Sequence, residues 1–305
     1  MDLLLLLQQT LNGLQLGVML FLMAAGLTLI FGIMDLINLA HGSFYMLGAY
    51  VTAWLVGLVD AFLPALALAL LATAAVGYLV EVTALRRLYG RDHLYQVLAT
   101  FGLILFFNEG IKLLFGPQPI FLQPPDWLSG QVPLFGAPYP VIRLAIIAVG
   151  LASALLLWWL IGRTRLGMLI RAGADDREMV QALGVDIARL FGIIFALGAA
   201  LAALAGAMAG PVLAVRIGMG EDILILAFVV IVIGGIGSIR GAFVGALLVG
   251  LVDTYGRALL PDLLALVLER TVADAAGASI ASMAIYILMA LVLAFRPRGL
   301  LPARS

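Results

Sequence analysis

The chain has 305 residues, of which 64% are hydrophobic and only 11% charged, and its formal net charge is zero. Soluble domains carry about 25% charged residues, so this composition excludes an ordinary soluble protein, and the balanced charge provides no basic surface for nucleic acid. Because the chain contains no cysteine, disulfides, thiol chemistry and cysteine-based metal or iron–sulfur sites are excluded as well.

The long apolar runs predict transmembrane helices, because about 20 apolar residues cross a bilayer as a helix, whereas barrel strands alternate over about 10 residues. We therefore predict an all-α integral membrane protein, a polytopic helical bundle of about 8–10 transmembrane segments, as one domain over residues 1–305. The predicted uninterrupted spans cover residues 11–34, a run ending near 59, 63–85, 94–115, 141–161, 190–212 and 279–295.

A polar interruption follows the first span, in the stretch GIMDLINLAHGSFYMLGAY (32–50). If this stretch is helical, Asp35, Asn38 and His41 share one face, because they lie three residues apart. One interpretation is a polar lining or gate of a solute path. The other is that Asp35 and Asn38 cap a half-helix, while His41 bonds to backbone groups freed at Gly42.

Two connecting segments are also distinctive. Residues 86–92 are basic, and Glu81 is expected to pair with an arginine at this end of its span. Residues 116–140 are rich in proline and carry Trp127 and Tyr139, aromatic residues typical of a membrane interface. This second segment is therefore predicted to be an ordered loop outside the membrane.

The largest polar segment, residues 162–190, carries nine charged residues between two apolar spans and must therefore lie outside the lipid. Its middle can form a short amphipathic helix, with Asp175 or Asp176 at its start and Gly184 at its end. The apolar face of this helix suggests a docking surface, or alternatively a helix lying flat on the membrane. That face is made of Met179, Val180 and Leu183.

Glycine interrupts the apolar sequence again at Gly234 and Gly235. The run before them is short of a full crossing, because fifteen helical residues cover only about 22 Å, and the sequence leaves open whether this segment crosses the membrane or is re-entrant. The glycine-broken stretches 38–48 and 234–245 indicate either an internal repeat around a transport pathway or simply close helix packing. Residues 261–278 are mildly amphipathic and are expected to lie at the membrane interface.

The distribution of basic residues predicts the orientation of the chain. If residues 86–92 are cytoplasmic, alternation over about nine crossings also places the 162–190 block and the C-terminal tail inside. This arrangement puts 12 of the 17 Lys and Arg residues in the cytoplasm. The N-terminus and the 116–140 loop are then extracytoplasmic.

The sequence contains no recognisable catalytic or metal-binding constellation. His41 and His93 are the only histidines, and Lys112, the sole lysine, does not belong to a P-loop. Asp35 and Asp253 are the only candidates for an intramembrane aspartyl protease, and neither lies in a recognisable motif. We therefore expect a protein that is not an enzyme and binds no metal.

Five motifs in the same order resemble the branched-chain amino-acid ABC transporter permeases of the LivH type, and the resemblance covers nearly the whole chain. They are Gln9…Asn12-Gly13…Gly17 with Ala25-Gly26-Leu27, then Ile37-Asn38-Leu39-Ala40-His41-Gly42…Gly48-Ala49-Tyr50, then Arg171-Ala172…Asp175-Asp176-Arg177-Glu178…Leu183-Gly184-Val185-Asp186, then Gly234-Gly235-Ile236-Gly237-Ser238…Gly241-Ala242, and finally Arg296-Pro297-Arg298-Gly299-Leu300. The third of these motifs is similar to the loop that couples such permeases to their ATPases.

The resemblance implies a high-affinity importer in a bacterial inner membrane, with a periplasmic binding protein, a second permease subunit of the LivM type and two ATPase subunits. ATP and Mg²⁺ would bind to the ATPases, and no cofactor is expected in this chain. The expected coupling residues are Arg171, Asp175, Asp176, Glu178, Met179, Leu183 and Gly184. The expected pathway residues, along the interface between the two permeases, are Asn38, His41, Gly42, Ser43, Gly234, Gly235 and Ser238.

The sequence leaves the transported solute open, because members of this family carry leucine, isoleucine and valine but also amides, urea and aromatic acids. A rival function from another class is an ion-coupled secondary transporter, which would need a buried carboxylate relay. Asp35 and Asp253 are its only candidates. A third alternative, a membrane scaffold without transport, would not need the glycine-broken segments.

Overall fold

The computed structural model describes residues 3–134 and 136–302. This part of the chain folds into α1 (Leu3–Met34), α2 (His41–Val59), α3 (Phe62–Thr83), α4 (His93–Phe115), β1 (Gln131–Leu134), β2 (Ala137–Pro140), α5 (Val141–Arg163), α6 (Arg165–Asp175), α7 (Arg177–Ala182), α8 (Ile187–Ala209), α9 (Met219–Gly234), α10 (Ile239–Leu264) and α11 (Arg270–Phe295), with 3₁₀ turns at Leu85–Leu88 and Asp126–Leu128. Within these residues, eight helices are long and apolar enough to cross a membrane. The predicted polytopic helical bundle is therefore confirmed.

The spanning helices form because a bilayer offers backbone groups no water to bond to, so apolar runs satisfy these groups internally. Polar side chains start several helices where the apolar runs begin. Asp92 accepts a hydrogen bond from the backbone N of Leu94 at 2.8 Å and begins α4. Asp186 accepts one from the backbone N of Arg189 at 3.0 Å and begins α8.

Helices α1 and α8 form the centre of the bundle. Most of α1 is buried, and it packs mainly against α8 and α10, while α8 packs mainly against α2 and α3. By contrast, α4, α5 and α11 expose large apolar side chains such as Phe106, Leu155 and Phe295. The outer helices therefore present an apolar perimeter suited to lipid.

The two ends of the bundle differ. At the hairpin end, β1 and β2 pair antiparallel, and Tyr139 and Arg143 both donate to Oδ1 of Asn12, at 3.1 and 2.7 Å. At the basic end, the short helices α6 and α7 connect α5 to α8. The predicted order of the 116–140 loop is confirmed for its described residues, but the two short strands within it were not predicted.

Helices α2 and α9 both begin inside the bundle. The ring of His41, the first residue of α2, packs against Gly26, which lies eight residues before the end of α1. A Cβ at Gly42 would overlap the carbonyl of Gly220, and a Cβ at Gly220 would overlap the carbonyl of Gly42. Helices α2 and α9, each of which follows a non-helical break in the chain, therefore meet backbone to backbone at their first turns.

The packing has the pattern of an inverted repeat. The packing of α1 against α10 corresponds to the packing of α8 against α3. Likewise, the packing of α2 against α3 and α4 corresponds to the packing of α9 against α10 and α11. The central helices α1 and α8 run in opposite directions and cross at Gly26 and Gly198, where a Cβ on either glycine would press on the carbonyl of the other. This is the arrangement expected of inverted-topology repeats.

This pattern corrects the repeat suggested by the sequence. The break before α2 corresponds to the one before α9, at residues 210–218, and not to the glycines at 234–245. Most of residues 261–278 belong to the end of α10 and the start of α11, and their location at the membrane interface stays a prediction. The helices can approach there because Gly277 leaves room for Pro261, whose nitrogen would lie only 2.7 Å from a Cβ on that glycine.

Candidate functional site

The connection between α1 and α2 is not helical. Asp35 is exposed and has a φ of 51°, whereas Asn38 and His41 are fully buried. The three side chains do not share one face, so that prediction is wrong. The alternative capping role is wrong too, because α2 follows Ala40 without a side-chain cap.

A glutamine that the sequence pattern did not single out holds this connection in place. Gln96 of α4 is buried, its Oε1 accepts from the backbone N of Ile37 at 3.1 Å, and its Nε2 donates to the carbonyl of Arg91 at 3.3 Å. The buried Gln96 amide therefore ties the backbone at the entry into α2 to the loop that precedes α4. The available signal was an amide side chain near the start of an otherwise apolar span.

Asn38 and His41 are fully enclosed by the bundle. Neither polar atom of the Asn38 side chain has a hydrogen-bond partner within the described residues. The His41 ring approaches the carbonyl of Met23, but neither ring nitrogen makes a hydrogen bond of good geometry there. Ser43, in the next turn, is buried as well. These polar groups form a cluster inside the bundle, and their role in a pathway stays a prediction.

The other predicted pathway residues lie elsewhere, at the basic end. Ser238 caps the start of α10, since its Oγ accepts from the backbone N of Gly241 at 3.1 Å. Gly235 has a φ of 107° and packs against the C-terminal segment. Backbone N–H groups of Leu300 and Leu301 donate to the carbonyls of residues 233 and 234, at 2.8 and 2.9 Å.

The structure therefore does not bring the predicted pathway residues at positions 38–43 together with those at positions 234–238. Gly42 packs on Gly220, and Gly234 lies fourteen residues further along α9, about 21 Å away at 1.5 Å per residue. The glycines and serine of the 234–238 turn close one end of α9. Asn38, His41 and Ser43 lie near its beginning.

The sequence pattern also did not predict a charged cluster at the start of α9. Arg216 forms an ion pair with Asp222, and Asn108 of α4 donates to Oε1 of Glu221 at 2.5 Å. The other polar atom of Asn108, Oδ1, is buried without a partner in the described part of the chain. Val215, the residue before Arg216, pairs with Ile120 of the 116–140 loop, at 2.9 Å in both directions.

The 162–190 block forms two helices. Thr164 accepts from the backbone N of Gly167 at 3.1 Å to begin α6, and Asp176 accepts from that of Met179 at 2.9 Å to begin α7. Gly184, with a φ of 88°, follows the end of α7. The predicted cap and the predicted end of this helix are confirmed, while α6 adds a helix that was not predicted.

The apolar face of α7 differs from the prediction. Met179 and Leu183 are 58% and 77% exposed, but Val180 is buried and packs into the bundle. The reason is that consecutive residues of a helix point about 100° apart. Met168 of α6 is also exposed. Arg171, Asp175, Asp176 and Glu178, the charged residues predicted to couple to an ATPase, are exposed as well.

A buried ion pair anchors the start of α8 beside this block. The carboxylate of Glu81 is fully buried and accepts from Arg86 at 2.8 Å and from the hydroxyl of Tyr89 at 2.7 Å. Arg86 also donates to the carbonyl of Ala188 at 3.1 Å. Burial raises the pKa of Tyr89, and its bond to Glu81 raises that pKa further. The predicted pairing of Glu81 is confirmed, and it links α3 to α8.

The comparisons with known proteins point in one direction. Residues 9–293 match the family described as "Branched-chain amino acid transport system / permease component". The chain is 32% identical to the high-affinity branched-chain amino acid transport permease BraD of Pseudomonas aeruginosa, covering 97% of this chain and 95% of the relative. It is 31% identical to the LivH permease of Escherichia coli K12, covering 83% and 87%.

A more distant relative carries a different type of solute. The ribose import permease RbsC of Escherichia coli K12 is 27% identical, over 76% of this chain and 72% of the relative. No solved structure matches the chain.

Proposed function

Because the chain belongs to the family of branched-chain amino acid transport permeases, we propose that it forms one half of the membrane pathway of an ABC importer for leucine, isoleucine and valine. The observation that carries this proposal is the family match over residues 9–293. The protein is a multi-pass protein of the inner membrane, with eight candidate spans among its described residues. It is a transport subunit, and the ATPase subunits perform the hydrolysis.

The partners are a second permease of the LivM type, two ATPases and a periplasmic binding protein. The N-terminus and the hairpin end face the periplasm, and the basic end faces the cytoplasm. This orientation is supported by the arginines of the 86–92 and 162–190 segments, since basic residues concentrate on the cytoplasmic side. ATP and Mg²⁺ bind to the ATPases, and this chain needs no cofactor.

The basic end provides a surface suited to an ATPase. Exposed Met179 and Leu183 form a small apolar contact area, and the charged side chains around them steer a partner into register. Helix α6 packs against α1 and α8, and the buried Val180 of α7 also packs into the bundle beside α8. Movement of α6 and α7 can therefore reach the central helices.

The solute passes between the two permeases, near the interrupted helices α2 and α9. Backbone interrupted inside a bilayer must be buried in protein or line a water-filled path. Asn38, His41, Gly42 and Ser43 contribute at the start of α2, and Gly234, Gly235 and Ser238 contribute at the cytoplasmic exit. Selection of the solute rests with the binding protein.

Uptake of labelled leucine into proteoliposomes tests this function. The complete complex, with leucine-loaded binding protein outside and ATP inside, should accumulate leucine. An ion or proton gradient without ATP should give no uptake, whereas an ion-coupled transporter would give the reverse result. Parallel assays with amides, urea or aromatic acids separate the alternative solutes.

A further inference from the structure

The start of α9 lies deep in the membrane-spanning region. Gly220 packs against Gly42, next to His41, whose ring packs against Gly26 of α1. Gly26 is eight residues from the end of α1, or about 12 Å at 1.5 Å per residue. The first turn of α9 therefore lies well inside the basic end.

A contact with α4 gives the same depth from the other side. Asn108, which donates to Glu221, is seven residues before the end of α4 at Phe115, or about 10 Å from it. It is fifteen residues, or about 22 Å, from the start of that helix at His93. The first turn of α9 is therefore about 10 Å or more from both ends of the spanning helices.

At this depth the chain exposes charges. The side chains of Arg216 and Asp222 are 53% and 64% exposed, although they pair with each other. Ile225, one turn further along α9, is exposed on the same side. Charged groups at such depth do not face lipid, but pair within protein or line a water-filled cavity. This side of α9 must therefore face the pathway or the partner permease.

We propose that Arg216, Glu221, Asp222 and Asn108 form a recognition point for the charged ends of an amino acid as it crosses the membrane. The guanidinium of Arg216 receives the α-carboxylate, and the carboxylates of Glu221 and Asp222 receive the α-ammonium group. Asn108 donates to Oε1 of Glu221 and so holds that carboxylate in position.

The chemistry favours a zwitterion over a singly charged solute. Arg216 and Asp222 satisfy each other when no solute is present, and an α-amino acid carries the two opposite charges needed to replace both halves of that pair. An anion or a cation alone would replace only one half of that pair and would leave the other half without a charged partner. The inference rests on the proposed function, since it concerns the solute of that importer.

The first test is water access in the assembled complex. The chain has no native cysteine, so Asp222→Cys or, if that variant does not assemble, Ile225→Cys can be introduced into a complex with cysteine-free partners. A charged, impermeant thiol reagent should modify either residue. Leu105→Cys, on an exposed apolar part of α4 near Asn108, is the matched control and should not react. Lack of reaction at both 222 and 225 would overturn the proposal.

The second test is transport. Arg216→Gln and Asp222→Asn should each lower ATP-driven leucine uptake by about tenfold, the cost of one charged hydrogen bond, with ATPase activity and assembly retained. Asp262→Asn, which removes an exposed ion pair with Arg270, is the control and should leave uptake unchanged. Unchanged uptake with both pathway variants would contradict the proposal.

A reversed pair separates recognition from a purely structural ion pair. The double variant Arg216→Asp with Asp222→Arg restores attraction and should restore assembly, but uptake should stay low because Glu221 and Asn108 keep their places. Full uptake by this variant would show that the pair is only structural. If the wild-type complex itself shows no ATP-driven leucine uptake, the proposed function fails, irrespective of these variants.

Discussion

Replacing Gly42 with alanine should weaken the contact between α2 and α9. The new Cβ would overlap the carbonyl oxygen of Gly220, so the two backbones must separate by roughly 1 Å to regain normal contact. A gap of that size forfeits a quarter to a half of the dispersion energy of the atoms lining it. Overpacking costs about 1–3 kcal/mol, and we expect the upper end, because the obstructing atom is backbone and cannot turn away.

The thermal unfolding midpoint of the purified complex, measured together with leucine uptake, checks this expectation. Gly42→Ala should lower the midpoint by roughly 6 °C or more, using about 2–4 °C per kcal/mol for a large domain, and should reduce uptake. Gly57→Ala is the matched control, because it lies in the same helix and its Cβ would meet no atom within 4 Å. If both variants behave alike, the close approach of α2 and α9 is not what holds this region together.

Three further predictions concern the basic end. Met179→Asp or Leu183→Asp should abolish pull-down of the ATPase while the permease remains inserted, and unchanged pull-down with both would exclude a docking role. Arg177→Cys should react with an impermeant thiol reagent only from the cytoplasmic side, and labelling from the periplasmic side would invert the topology. Glu81→Gln should lower the unfolding midpoint and uncouple ATP hydrolysis from uptake, because Arg86 and Tyr89 lose the charged acceptor that they share, and normal coupling would refute that link.

The spanning helices could be predicted because hydrophobic length alone determines them. The cap at Asp176 and the helix end at Gly184 were also visible, since each depends on local backbone chemistry. The missed features depend on contacts distant in sequence. Val180 turns inward because of how α7 packs against its neighbours, and Gln96 bonds to Ile37 because of how α4 packs against its own.

The break before α9 shows the same limitation in the functional region. The sequence around Arg216 and Gly220 reads as an ordinary polar loop outside the membrane. Only the packing of Gly220 on Gly42 reveals that the loop descends into the bundle. The sequence prediction paired the first break with the glycines at 234 and 235 instead. Glycine permits both turns and close packing, so its role depends on its neighbours.

The capping of α9 by Leu300 and Leu301 has a consequence for biosynthesis. Residues that lie roughly 65 positions later in the chain bond to the last carbonyls of α9, so at about 5–20 residues per second the helix leaves the ribosome roughly 3 to 13 s before its cap exists. During that interval a sixteen-residue helix with charges in its first turn is held only by helices already made. A chain truncated before residue 300 would lack this cap and should be more susceptible to membrane proteases.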